Sequence, residues 1–184
     1  MPVSTIDNSG ISASAAISTS KLGTGAVLQV VSVTKTDTWS ESQSPNTISS
    51  NNVTGLIATI TPTSSSSKIL VAVNLNLNIS ASGSGVGVGF ALYRSGTKIA
   101  MGDTAGSRTS LSSAGNVVTI QQLVPMSMNY LDSPATTSSL SYSIRLWCGT
   151  GTTATAYVNA VNQDTDAAYV PRSISSVTLM EIAA

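Results

Sequence analysis

The stretch KILVAVNLNLNI, residues 68–79, decides the fold class of this chain. Apolar residues occupy every second position along its whole length. One face carries Ile69, Val71, Val73, Leu75, Leu77 and Ile79, and the opposite face carries Leu70, Ala72, Asn74, Asn76 and Asn78. Side chains alternate between the two faces of a β-strand, so this period of two predicts a half-buried antiparallel strand.

Similar segments extend outward from this strand in both directions, and turn signals such as SASGSG and the Ser95-Gly96 pair separate them. The predicted strands are 26–33, 53–61, 68–79, 86–94, 97–101, 117–126, 128–132, 139–148, 153–161 and 174–182. Residues 40–52 are predicted to be a turn-rich connection, and Pro125 is expected at a strand edge or bend. We therefore expect an all-β domain over residues 26–184, an antiparallel β-sandwich or jelly roll of about 8–10 strands.

Residues 1–25 differ from the rest of the chain and are expected to form an extended N-terminal arm. The segment is small and polar, and its apolar residues follow neither a helical nor a strand period. A short helix over residues 11–22 is weakened by the Ser and Thr there. A disordered tail is the other interpretation of this composition. If the segment is an arm that lies on a partner protein, its candidate binding residues are Ile6, Ile11, Ile17, Lys21 and Leu22.

The composition is polar without being charged. Only 9% of the 184 residues are charged, the formal net charge is zero, and there are 33 Ser and 23 Thr. Nucleic-acid binding normally needs a basic patch, and anionic membranes attract polybasic segments, so neither partner is expected. Because a surface with net charge near zero repels its own copies weakly, we expect a protein that works in an assembled state.

The chain contains no histidine, which removes the commonest general base and a principal zinc ligand. Ser-His-Asp and Cys-His catalytic arrangements are therefore excluded. Asp164 and Asp166 are two potential calcium ligands, but a polar turn explains them as well. Cys148 is expected to be a buried small apolar residue. We expect no enzymatic activity and no cofactor, although carboxylates brought together from distant loops remain open.

Aromatic residues offer limited support for a sugar-binding surface, because only Trp39 and Tyr169 fall in predicted loops. The four arginines, Arg94, Arg108, Arg145 and Arg172, are expected to have partners such as Asp103, Asp132, Asp164 or Glu181. No apolar run approaches the length of a membrane-spanning helix, and the N-terminus lacks the features of a signal peptide. Synthesis in a cytoplasm without a visible export signal is the corresponding expectation.

Six stretches, which together span most of the chain, resemble a family of virion structural proteins from tailed bacteriophages. They are SASAAISTSKLGTGAVLQVV (12–31), TKTDTWS (34–40), TGLIATITPTSSSSKILV (54–71), YRSGTKIAMGDTAGSR (93–108), MSMNYLDSPATTSSLSYSIRL (126–146) and DTDAAYVPRSISSVTLMEIAA (164–184). The resemblance implies a virion structural protein with a β-sandwich, in a homotrimer, made in the cytoplasm of the host bacterium. It implies no catalytic residues.

Two virion roles are consistent with this resemblance. In the first, the protein decorates or cements the capsid surface, and its arm binds the major capsid protein. In the second, it is a tail-fibre tip or a receptor-binding module. The roughly 25 residues before the sandwich are too few for a fibre shaft, whereas an extended arm of that length spans on the order of 80 Å. We therefore favour capsid decoration; an enzyme or a secreted sugar-binding module would belong to a different class.

Overall fold

The computed structural model describes residues 22–83 and 85–184, and it confirms an all-β antiparallel sandwich. The described residues form eleven strands in two stacked sheets, one strand more than the upper end of the expected range. The strands are β1 (Val27–Lys35), β2 (Trp39–Gln43), β3 (Ile57–Ile60), β4 (Lys68–Ile79), β5 (Gly87–Arg94), β6 (Thr97–Ile99), β7 (Ser113–Asn116), β8 (Val124–Asp132), β9 (Leu140–Gly149), β10 (Ala154–Val158) and β11 (Ser175–Ile182). The described residues contain no helix that could cross a membrane.

The first sheet, called sheet A, is built around β4. Strand β11 pairs with the first part of β4, β10 pairs with its last residues, and β8 pairs along its other side. Strand β1 extends the sheet beyond β11, and β2 extends it beyond β10. Since β4 pairs with three neighbouring strands, the positions of β8, β10 and β11 within sheet A all depend on β4.

The second sheet, sheet B, has the order β3-β9-β5, and β6 and β7 share the far side of β5. The two sheets stack so that β1 and β11 contact β3, β4 contacts β5, and β8 contacts β7. The chain passes repeatedly from one sheet to the other, as in a jelly roll.

The hydrophobic core lies between the sheets, as the alternation of residues 68–79 predicts. All six apolar residues on the inward face of β4 are at most 1% exposed. They share one cluster with apolar residues of sheet B that include Phe90, Leu92, Ile144 and Leu146. Burying each such side chain contributes about 1.5–3 kcal/mol before ordering costs, so this face contributes substantially to stability.

Two strands fall where none was expected. Strand β2 lies partly in the connection predicted over 40–52, and its polar residues are ordered by pairing with β10. Strand β7, Ser-Ala-Gly-Asn, has little β-propensity and forms against the first half of β5. In both cases a neighbouring strand supplies the hydrogen bonds that the local sequence does not predict.

The strand predicted over 117–126 was wrong in its first part. The chain turns after Val118, whose backbone N–H donates to Oε1 of Gln122 at 3.1 Å. The remainder joins the predicted strand 128–132 to form β8. Pro125 lies inside β8, which pairs with β4 alone among the described strands, so the expected edge position of this proline is confirmed.

A partly buried ion pair links the two sheets at one end of the sandwich. Asp132 on β8 is 3% exposed, and each of its carboxylate oxygens accepts a hydrogen bond of 2.8 Å from Nη1 of Arg94 on β5. The hydroxyl of Tyr142 on β9 donates to Oδ2 at 2.7 Å. Burial and this bond raise the pKa of Tyr142 well above its ordinary value, so the hydroxyl stays a donor.

We predict that Asp132→Ala lowers the free energy of unfolding by about 2–4 kcal/mol, because it leaves a buried hydroxyl and a guanidinium without their acceptor. Urea denaturation measures the change. Arg172→Ala is the control, since Arg172 pairs with Asp164 at an exposed site and its loss costs about 0–1 kcal/mol. Equal effects of the two substitutions would show that the link between the sheets is unimportant.

Candidate functional site

The predicted arm residues are only partly within the described chain. Ile6, Ile11, Ile17 and Lys21 lie outside the described residues. Leu22 lies at the start of the description and is 40% exposed. The site can therefore be built from Leu22 onward, at the base of the N-terminal segment.

The end of the N-terminal segment is joined by hydrogen bonds to the C-terminal residues of the chain, directly after β11. The backbone N–H of Gly25 donates to the carbonyl of Ala183 at 2.8 Å, and the N–H of Ala183 donates to the carbonyl of Ala26 at 2.9 Å. Leu22 and Leu28 line a hollow of about 340 Å³ beside this junction. The other lining residues are Thr63, Ser64, Ser66, Ser67, Ala183 and Ala184.

Glu181 binds Thr63, one of the residues that line this hollow, from inside the sandwich. Its side chain is fully buried, and Oε1 accepts hydrogen bonds of 2.7 Å from both the backbone N–H and the hydroxyl of Thr63. Nε2 of Gln29 donates to Oε2 at 2.6 Å. Burial by itself would raise the pKa of Glu181, but the bonds from Gln29 and Thr63 outweigh it and hold this pKa below its ordinary value.

An apolar patch lies on the outer face of sheet A next to this junction. The strand register places Met180 beside both Val30 and Leu70, and Leu70 beside Leu131, so four apolar side chains form a row across β1, β11, β4 and β8. Val27 and Ile182 form a second pair closer to the junction. The sheet A patch consists of Val27, Val30, Leu70, Leu131, Met180 and Ile182.

Half of the patch is well exposed: Val27, Val30 and Leu131 are 50%, 56% and 55% exposed. Further along the same strands the outer face is polar, with Ser32 bonded to Thr178 and with Asn74 on β4. The patch is thus confined to the end of the sheet where the N-terminal segment joins β1. An exposed apolar area next to a polar rim is typical of a protein-binding surface.

The sequence did not predict this patch. Leu70 was assigned to the outward face, but single apolar residues are common there. What assembles the patch is the register among four strands that are distant in the chain. The pattern Val30-x-Ser32-x-Thr34, in which an outward position changes from apolar to polar along one strand, was the available local signal.

The other candidates for chemistry lie apart from each other. Asp164 forms an ion pair with Arg172, and within residues 22–83 and 85–184 no group of three metal-ligating side chains occurs. Cys148 is buried, and desolvation raises its pKa to about 12, so the thiol is a poor nucleophile.

The arginine partners were predicted in part correctly. Arg94 pairs with Asp132, and Arg172 pairs with Asp164. Arg145 instead lies over the ring of Tyr93, 4.1 Å from its centroid, and donates to Asn52. Glu181 takes neutral donors rather than an arginine.

No protein-family model matches this chain, and no curated protein matches it in sequence. Solved structures with partial similarity come from infectious bursal disease virus. The VP2 subviral particle has a TM-score of 0.43 and 13% identity over 84% of this chain and 38% of that chain. The Gx strain structure has a TM-score of 0.45 and 12% identity over 100% and 42%. This chain thus spans about two fifths of the chains it matches, and at these TM-scores no function is transferred from them.

Glu181 makes the stability of the fold dependent on pH. Because its folded pKa lies below the ordinary value of 4.5, it stabilises the fold above that pH, and the contribution disappears as pH falls through the folded pKa. We predict that Glu181→Gln lowers the free energy of unfolding at neutral pH by about 1–3 kcal/mol and makes its decrease toward acid pH shallower.

Urea denaturation between about pH 6 and pH 3 measures this dependence. Asp166→Asn is the matched control, because Asp166 is exposed and forms no ion pair within the described part of the chain. If Glu181→Gln leaves the acid dependence as steep as in the unsubstituted protein, the ionised Glu181 does not stabilise the fold through Gln29 and Thr63 as described.

Proposed function

We propose that this chain is a bacteriophage virion structural protein that decorates and cements the outer surface of the capsid. It binds the major capsid protein through the N-terminal segment and does no chemistry. One observation supports this proposal most: the segment joins the sandwich beside the sheet A patch, where three apolar side chains are at least half exposed. The family resemblance of the sequence points to the same class of protein.

The segment and the patch would form one continuous apolar surface. Ile6, Ile11, Ile17 and Leu22 provide the apolar residues of the segment, and Lys21 provides its cation. Each apolar side chain that becomes buried contributes about 1.5–3 kcal/mol, from which the cost of ordering the segment is subtracted. We propose that the capsid shell also covers the sheet A patch. The N-terminal segment joins sheet A at the end that carries the patch, so a shell bound by the segment would lie next to the patch.

A homotrimer would strengthen this binding by presenting three segments to one region of the shell. Once one segment is bound, the others bind at a high effective concentration, so weak contacts add up to a stable attachment. The zero net charge of the chain is consistent with close packing of copies. Light scattering should give about three times the chain mass of 18.7 kDa, and a mass of one chain at micromolar concentration would contradict the trimer.

The tail-fibre or receptor-binding role places the same fold elsewhere on the particle. In that role the N-terminal segment would bind a tail protein, and the surface away from the junction would contact the host. Binding to empty capsids separates the two roles, because only a decoration protein requires the capsid shell as its partner.

We predict that replacing Ile6, Ile11 and Ile17 together by Ser weakens binding to empty capsids about a hundredfold or more, because three apolar contacts are lost. Co-sedimentation with capsids from phage that lack this protein measures the affinity. Deleting residues 2–22 should abolish binding. The matched control replaces Ser4, Ser12 and Ser18 by Ala in the same segment and should retain full affinity. Undiminished capsid binding by the deletion variant would refute the proposed role of the segment.

A further inference from the structure

Trp147 occupies an unusual position on the outer face of sheet B. Glycines replace side chains around it: Gly149 follows it on the same face of β9, and Gly87 lies opposite Gly149 on β5. A Cβ at Gly149 would collide with the indole ring, and a Cβ at Gly87 would lie 3.2 Å from its Cζ3. The ring therefore lies flat on bare backbone, which only glycine permits.

An open hollow of about 530 Å³ lies over this ring. Its lining residues are Asn46, Ser107, Arg108, Thr109 and Trp147. Two loops form its walls, and they are fixed to the sandwich and to each other. The N–H of Asn46 donates to the carbonyl of Cys148 at 2.9 Å, and the hydroxyl of Thr109 donates to the carbonyl of Asn46 at 3.2 Å.

Arg108 is the charged residue of this hollow, and it is exposed. Its guanidinium makes a long contact of 3.5 Å with the carbonyl of Ala105, and it forms no ion pair with a carboxylate of the described residues. Arg94 and Arg172, by contrast, each pair with an aspartate. The hollow thus combines an aromatic ring, hydroxyl and amide groups, and a cation free to bind an anion.

Packing alone does not explain a tryptophan at this position. Its Nε1 is buried and has no hydrogen-bond partner among the residues that the structure describes. Leaving a buried N–H donor unpaired costs about 1–3 kcal/mol, a cost that phenylalanine or leucine would avoid. In exchange for this cost, tryptophan presents a wide, flat indole ring that is partly exposed.

We propose that this hollow binds a saccharide unit that carries an acidic group, either a carboxylate or a phosphate. The C–H face of the sugar ring lies on Trp147, and Asn46, Ser107 and Thr109 bond to its hydroxyls. Arg108 binds the acidic group, for which its planar fork is suited. A nucleic acid would require several cations along a strand, whereas this hollow has one. None of the lining residues belongs to the N-terminal segment, so the proposal is independent of the proposed capsid-binding role.

Trp147 provides its own reporter, because the chain has only two tryptophans. In Trp39→Phe protein, excitation at the red edge, where tyrosine does not absorb, gives emission from Trp147 alone. We expect a saturable change of this emission on adding oligogalacturonate, which carries carboxylates, or a mannose 6-phosphate oligosaccharide, which carries phosphate. Neutral oligogalactose of the same length should bind at least tenfold more weakly. The acidic oligosaccharide that binds more tightly identifies which acidic group the site prefers.

Arg108→Ala in the same background should weaken acidic-saccharide binding at least tenfold, while Lys98→Ala, which removes another exposed cation of sheet B, should not. Isothermal titration calorimetry on protein with both tryptophans repeats the comparison, so the result does not depend on how well Trp39→Phe folds. No saturable binding of either acidic oligosaccharide, equal binding by Arg108→Ala, or equal binding of the neutral sugar would overturn the proposal. Loss of capsid binding by the segment variants leaves this result unaffected.

Discussion

The burial of one face of β4 is the constraint on which the rest of the structure depends. Its six inward residues are at most 1% exposed, and its two edges hold β8 on one side and β11 with β10 on the other. A shift of the register by one residue would bring Asn74, Asn76 and Asn78 into the core, so the pairing is strongly specified. This register fixes the sheet A patch. It also fixes the end of sheet A that the N-terminal segment joins.

The two outer faces of the sandwich are built differently. Sheet A presents hydroxyl and amide groups over most of its outer face and an apolar patch at one end. On sheet B, Gly87 and Gly149 leave part of the outer face without side chains. The ring of Trp147 covers the backbone there. Because charges are scarce in this chain and sum to zero, its surface produces little long-range electrostatic field.

The sequence predicts those parts of the fold that local periodicity determines. The alternation in 68–79 identified β4 and its buried face, and Pro125 indicated a strand edge or bend, of which the structure shows the edge. Strands β2 and β7 escaped prediction because their residues are polar or small and are ordered by partners distant in the chain. The sheet A patch and the hollow over Trp147 escaped it for the same reason, since each is assembled from several separate segments.

Electron cryomicroscopy of intact phage heads tests the central claim most directly. The account predicts three-lobed density on the outer capsid surface, with Val27, Val30 and Leu131 facing the shell and the N-terminal segment extending over capsid subunits. Density for this protein at the tail alone, or on the capsid with the sheet A patch turned toward solvent, would contradict it.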